Sequence, residues 1–292
     1  YLAHDTQQQP LVIKTLGVDL QQDKNAVEQF QLEDWVSKRL KHDNLMQCYP
    51  HNTEKKYLFQ CYEYLQGETL AQWLHRQEKP LNLDEILPIL QQTALALNAM
   101  HRLEMLHQDI RPKNIMVINA ENAMKIKLID YGSTAVRGLV EINPKNANRA
   151  LGTLAFMAPE YFIDHSPSVH SDQFSLAVMA YYLFTKQLPY GTDLARCNSL
   201  KQMKKVQYHS IRKYRPDLPI WLDKILGQAL SIEPIHRFEA LSELIHNLMH
   251  PSKELLNSKP PAIIERDPLR FWQMSCAVLG LLFLLSIAWP FI

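Results

Sequence analysis

The chain has 292 residues, a formal net charge of +1 and an apolar share of 47%. That length supports a two-lobed globular unit and excludes a disulfide-stapled mini-protein. The near-neutral charge argues against nucleic acid as a partner, because such binding runs on an excess of Lys and Arg; the mean hydropathy of −0.23 excludes a polytopic membrane protein.

Strand character comes first along the chain, with one helix inserted. Leu11-Val12-Ile13 is a short β-branched run, Ala26 to Lys41 places Phe30, Trp35, Val36 and Leu40 at helical spacing, and Tyr57 to Tyr64 reads as a strand. Helices then dominate. Leu83 to Met105 is one, with Asp84 and Glu85 where a helix start favours negative charge. Ile126 to Ile129 is a short strand, and Asp172 to Thr185, Ile220 to Leu230 and Ala240 to Leu248 are apolar helices. A small β-rich lobe before a larger helical one is an α+β pattern. Residues 251–270 carry Pro251, Pro260, Pro261 and Pro268 among polar residues and read as a linker. Residues 271–292 contain no charge, and Trp272 and Trp289 stand near their ends, so they predict one transmembrane helix. Lys253, Lys259, Arg266 and Arg270 precede it and nothing basic follows. The positive-inside bias therefore predicts a single-pass protein of the cell (inner) membrane with its large domain cytoplasmic.

Cysteine and glycine usage narrow the chemistry. Cys48, Cys61, Cys197 and Cys276 form no C-x-x-C pair, which fits free thiols in a reducing compartment. There are only 8 glycines, and the first is Gly17. Any function that needs a glycine-rich phosphate loop near the N-terminus must account for that shortage.

Four motifs stand in a fixed order: Val12-Ile13-Lys14, then His107-Gln108-Asp109-Ile110-Arg111-Pro112-Lys113-Asn114, then Asp130-Tyr131-Gly132, then Gly152-Thr153-Leu154-Ala155-Phe156-Met157-Ala158-Pro159-Glu160. Together they resemble protein kinases: the end of V-A-I-K, the catalytic loop H-R-D-L-K-P-x-N, the magnesium-binding D-F-G, and the G-T-x-x-Y-x-A-P-E that closes an activation segment. The resemblance implies a protein-kinase-like fold, with residues 1–66 as the small lobe and 67–250 as the large one. Tyr1 to Asp5 resembles the strand that follows the glycine-rich loop, so that loop is expected to lie upstream of residue 1 and the chain to be a C-terminal fragment.

What the resemblance implies can be stated residue by residue. Phosphoryl transfer is mostly positioning and charge neutralisation. Asp109 matches the aspartate that meets the attacking hydroxyl, and Lys14 matches the cation on the ATP phosphates. Glu33 matches the helix carboxylate that orients that lysine. Asn114 and Asp130 match the ligands of Mg2+ or Mn2+. Arg111 stands at the position of the lysine that contacts the transferred phosphate, and Thr153 matches the threonine that favours serine/threonine substrates. Glu63-Tyr64-Leu65-Gln66-Gly67 resembles the hinge between lobes, which makes Tyr62 the gatekeeper and assigns adenine binding to the backbone of Glu63 and Leu65. Asp172 and the pair Glu160–Arg237 match structural positions.

Gln108 replaces the H-R-D arginine that receives an activating phosphate, and Arg137 to Leu151 contains no Ser, Thr or Tyr. Tyr131 replaces the D-F-G phenylalanine, and Ser37 stands where a large apolar residue is usual, so the two are expected to compensate in volume. The segment His107 to Asn114, the helix stretch Glu33-Asp34-Trp35-Val36 and Asp267-Pro268-Leu269-Arg270-Phe271-Trp272-Gln273 before the expected membrane helix together resemble bacterial proteins that join a phosphatase domain to a Hanks-type serine/threonine kinase and a membrane anchor. The expected activity is a membrane-tethered serine/threonine protein kinase that uses ATP and acts on a protein substrate, with a phosphatase domain upstream as a further partner. The alternative is a pseudokinase or nucleotide-sensing scaffold that regulates a partner.

Overall fold

The computed structural model describes residues 1–50, 58–120, 123–137, 154–163, 166–257 and 268–288. Residues Tyr1–Pro251 make one compact unit, and Ser252–Ile292 a second.

In the first unit, strands β1 (Leu2–His4), β2 (Pro10–Thr15), β3 (Cys48–Tyr49) and β4 (Phe59–Glu63) form an antiparallel sheet in the order β1-β2-β4-β3. The β1–β2 turn is held by the Asp5 carboxylate, which accepts from the backbone N–H groups of Gln7 and Gln9 at 2.8 Å each. The β2–β4 register puts Lys14 directly opposite Gln60 and Val12 opposite Tyr62. Directly paired residues share a face of the sheet, so Lys14 and Gln60 look the same way.

Helix α1 (Lys24–Ser37) starts where the Asp23 carboxylate accepts from Asn25 N–H. It stops four residues short of the expected Lys41. The next residues turn instead, which buries Leu40 and Leu45. After β5 (Glu68–Thr69) and α2 (Leu70–His75) comes α3 (Leu83–His101), opened by a reciprocal cap between Asn82 and Glu85. The apolar pattern continues to Met105, but α3 ends at His101. Glu104 takes a positive φ of 56°, and Met105–Leu106 become strand β6, which pairs with β9 (Ala135–Val136). Between them lies the hairpin β7 (Ile115–Ala120) and β8 (Ala123–Leu128). Gly67 sits against β7 so closely that a Cβ would lie 2.1 Å from the Val117 carbonyl oxygen; only glycine fits there.

Helix α4 (Val169–Thr185) begins three residues before the expected Asp172, capped by Ser168 and Ser171, and is buried along most of its length. It is followed by α5 (Leu200–Met203), α6 (Ile220–Ala229) and α7 (Leu241–Met249). Helix α3 packs on α4, α7 and β8, and its fully buried Ile86, Ile89 and Leu97 each contribute roughly 1.5–3 kcal/mol to that core.

The second unit contains α8 (Lys253–Leu256) and α9 (Pro268–Ala288). The expectation of a transmembrane span at 271–292 is not supported: among the described residues, no helix is long and apolar enough to cross a membrane. The span's last four residues, and the side chains of 281–288, lie outside those described.

Candidate active site

Two clusters carry the residues singled out by sequence. The first is built on β2, α1 and the turn after β8. Lys14 Nζ donates to Glu33 Oε1 at 2.6 Å and to Asp130 Oδ1 at 3.2 Å. Lys14 is reached from a strand, Glu33 from a helix and Asp130 from a loop 116 residues away in sequence. The Glu33 carboxylate is buried at 5% exposure, whereas Lys14 and Asp130 open to solvent at 39% and 49%. Burial works against the Lys14 ammonium, but Glu33 and Asp130 outweigh it and hold its pKa above the ordinary lysine value. Burial also works against the Asp130 charge, and there Lys14 wins and holds the carboxyl below its ordinary value. For Glu33, deepest of the three, burial outweighs Lys14 and its pKa rises.

Asp130 adopts a φ of 66°, a left-handed conformation that Asp tolerates better than most residues. Its carboxylate accepts from Gly132 N–H at 3.4 Å, which closes the turn over the site.

The second cluster is the loop between β6 and β7. Asn114 Nδ2 donates to both the carbonyl and the Oδ2 of Asp109, each at 2.8 Å. Its donors are thus spent on Asp109, and the amide oxygen is the group left to face a cation. Arg111 Nε lies 3.9 Å from Asp109 Oδ1. The two clusters are stitched together by Ile129 N–H, which donates to Asn114 O at 2.9 Å. A carboxylate from Asp130 and an amide oxygen from Asn114 are hard donors, a set that suits Mg2+ or Mn2+ when phosphate oxygens and water complete the shell. Among the described residues there is no group of three or more His, Cys, Asp or Glu able to hold a metal alone.

The loop is shaped from below. Asp172, at the start of α4 and fully buried, accepts from the backbone N–H groups of His107 at 3.0 Å and Gln108 at 2.9 Å, and from His101 Nε2 at 2.8 Å. Gln108 is held at a φ of 65°. Burial opposes the Asp172 charge, but these partners outweigh it and lower its pKa. Further along, Glu160 is buried against Arg237, whose two terminal nitrogens reach it at 2.9 Å each; burial again opposes the charge and Arg237 wins. The sign follows. A carboxyl held below its ordinary value stabilises the fold above that value and loses the contribution as pH falls through the folded one. The ordinary values are 3.8 and 4.5. The stability contributed by these two carboxyls is therefore expected to be level above pH 4.5 and to be lost as pH falls below 3.8. A Glu160→Gln variant should lose part of that slope in a melting-temperature titration, and an unchanged slope would refute the assignment.

The hinge residues make side-chain bonds that the motif did not indicate. Tyr62 is buried, and its hydroxyl donates to Gln60 Oε1 at 2.7 Å. Burial, then the Glu33 charge, push its pKa far up. Glu63 uses its side chain: Oε1 accepts from Gln47 N–H at 2.7 Å and from the Lys127 ammonium. Its backbone N–H donates to Gln47 O at 3.0 Å, so of its backbone groups only the carbonyl can receive a ligand. Leu65 lies half-buried just beyond β4. Thr153 lies outside the described residues.

The Tyr131 hydroxyl is used too. It donates toward Met46 O at 2.9 Å and Leu128 O at 3.3 Å, while Ser37 Oγ donates to Asp34 O. The extra oxygen thus joins a backbone hydrogen-bond network, which volume compensation by Ser37 did not anticipate. Sequence reasoning missed His101, Gln29 and Gln60; amides and imidazoles at helix or strand spacing carry no signal of their own.

A strand lysine paired to a helix carboxylate, a loop Asp–Asn pair and a second aspartate past the next hairpin are the parts of a protein-kinase-like fold. A family model described as "Protein kinase domain" matches residues 1–251. The chain belongs to the protein kinase domain family. It is 26% identical over 245 residues to "Serine/threonine-protein kinase PrkC" of Bacillus subtilis (strain 168), covering 84% of this chain and 37% of that protein. It is 30% identical over 233 residues to "Serine/threonine-protein kinase pkn3" of Myxococcus xanthus, covering 78% of this chain and 42% of that protein. The chain thus spans less than half the length of these curated relatives. The fold matches the crystal structure of the Mycobacterium tuberculosis PknI kinase domain with a TM-score of 0.65 at 24% identity, over 86% of this chain and 90% of that one.

Proposed function

We propose that the chain is a serine/threonine protein kinase that moves the γ-phosphate of ATP to a hydroxyl of a protein substrate. The observation that carries this is the Lys14 ammonium held between Glu33 at 2.6 Å and Asp130 at 3.2 Å. Asp109 would accept the proton of the attacking hydroxyl. Arg111, beside it, would meet the charge on the transferred group. Glu33 orients Lys14 toward the α and β phosphates, and Asn114 fixes Asp109 through its amide. A Mg2+ or Mn2+ ion held by Asn114 and Asp130 would neutralise phosphate charge. Adenine would meet the Glu63 carbonyl and the Leu65 backbone, with Tyr62 behind it, and Thr153 would favour serine or threonine acceptors.

The scaffold alternative is less well supported, because Lys14, Glu33, Asp109, Asn114 and Asp130 are all present. The test is transfer of labelled phosphate from ATP by the chain, beside Lys14→Met and Asp109→Asn. Equal labelling in all three overturns the reading.

A membrane location is the second part of the proposal: one pass through the inner membrane, with the kinase unit on the cytoplasmic side. Its support is in the sequence: the uncharged stretch 271–292 and the basic residues Lys253, Lys259, Arg266 and Arg270 before it. The chain is expected in the carbonate-resistant membrane fraction, and a version ending at residue 270 in the soluble one; equal distribution refutes it. The upstream phosphatase partner rests only on the likeness of residues 33–36, 107–114 and 267–273.

A further inference from the structure

Helix α1 buries little that would fix it. Its buried residues are Phe30, Glu33, Val36 and Ser37, and one of these four is a carboxylate. Yet Glu33 must sit within bonding distance of Lys14 for the first cluster to exist. Two glutamines, neither of them among the charged groups of the cluster, supply further restraint.

Gln29, on α1, donates from Nε2 to the Gly132 carbonyl at 2.6 Å, across 103 residues of sequence. Gly132 is two residues past Asp130, so this bond ties the helix to the turn that carries the second carboxylate. Gln60, on β4 and fully buried, donates from Nε2 to the Phe30 carbonyl at 2.7 Å. Phe30 lies mid-helix, so its oxygen accepts this bond on a second lone pair. The other end of the Gln60 amide accepts from the Tyr62 hydroxyl, which fixes the amide's orientation. Gln60 is also the direct cross-strand partner of Lys14. Two neighbours on one sheet face therefore both reach α1: Lys14 to a side chain, Gln60 to the main chain. Phe30 is three residues before Glu33 and Gln29 is four, so both tethers act within about one helical turn of the carboxylate.

We propose that Gln29 and Gln60 are positioning residues for phosphate transfer. Gln60 holds α1 against the strand that carries Lys14, and Gln29 holds it against the loop that carries Asp130. Both tethers are uncharged amide-to-carbonyl bonds. They set the Lys14–Glu33–Asp130 geometry without any added phosphate, in a chain whose stretch from Arg137 to Leu151 offers no hydroxyl to modify. The inference rests on the kinase reading for its kinetic part only; the tethering of α1 stands or falls separately.

The experiment uses the whole chain, with Gln29→Leu, Gln29→Lys and Gln60→Met. Two quantities are read: initial rates of phosphate transfer over a range of ATP concentrations, and amide hydrogen exchange of Lys24–Ser37 without nucleotide. Gln29→Leu should lower kcat about three- to tenfold, the scale of one net hydrogen bond, and speed exchange across α1 by a similar factor. Gln29→Lys restores a donor to Gly132 O and should recover the rate to within about twofold of the parent, a rescue that loss of packing alone would not give. Gln60→Met keeps the volume and should speed exchange further, provided its melting curve shows a folded protein. Parent-like rates and exchange in Gln29→Leu overturn the proposal, as does an equal loss in the Leu and Lys variants. If the parent transfers no phosphate, the kinase reading fails, and the exchange measurement alone decides the tether: unchanged exchange in Gln29→Leu overturns it.

Discussion

Asp109→Asn should lower phosphate transfer by about a hundred- to ten-thousandfold, the range a positioned general base supplies. The substitution is a clean one. Asn keeps an oxygen where Asp109 Oδ2 now accepts from Asn114 at 2.8 Å, so the loop retains its internal bond. What is lost is the carboxylate that would take the hydroxyl proton. Melting temperature should move little, since Asp109 lies in a loop and its bond survives. Rates from labelled ATP at saturating nucleotide are the measurement. A variant within tenfold of the parent would remove Asp109 from the chemistry.

Arg237→Ala should be the most damaging single change to stability, at about 3–5 kcal/mol, because it strands a buried carboxylate. The guanidinium is fully enclosed. It bonds Glu160 twice, donates to the carbonyls of His170 at 2.8 Å, Ser231 at 2.9 Å and Ile232 at 3.1 Å, and lies 4.8 Å over the Phe174 ring. Without it, Glu160 keeps the Ser171 hydroxyl, at 2.6 Å, but no cation among the described residues. For a unit of this size the cost corresponds to a fall of about 10 °C in melting temperature. Arg237→Lys should recover only part, because an ammonium cannot reproduce the planar fork that serves four acceptor groups. Loss of less than about 1 kcal/mol in the alanine variant would show that the pair is not enclosed as described.

The residues of the two clusters were readable through the resemblance to protein kinases, whose motifs keep the side chains that phosphate chemistry uses at recognisable local positions. Lys14 ends a β-branched run, Asp109 sits five before Asn114, and Asp130 follows a strand. The fold class was readable for a related reason: the change from two-residue to helical periodicity marks the passage from sheet to helices. Element ends were not. The α3 pattern runs on to Met105 in sequence, but Met105 is apolar because it is a buried β6 residue, and periodicity cannot tell those causes apart. Glu63 was read for its backbone, whereas its carboxylate holds Gln47 and Lys127; a strand glutamate looks solvated until its partners are folded against it. Gln29 and Gln60 were illegible for the same reason. Their partners are main-chain carbonyls, which every residue has.

Asp172 grips the catalytic loop by its main chain, at the N–H groups of His107 and Gln108. A loop shaped in this way takes its course from main-chain bonds rather than from bonds of the side chain at position 108. The glutamine that stands where the kinase motif has arginine therefore leaves the main-chain bonds that set the loop's course in place.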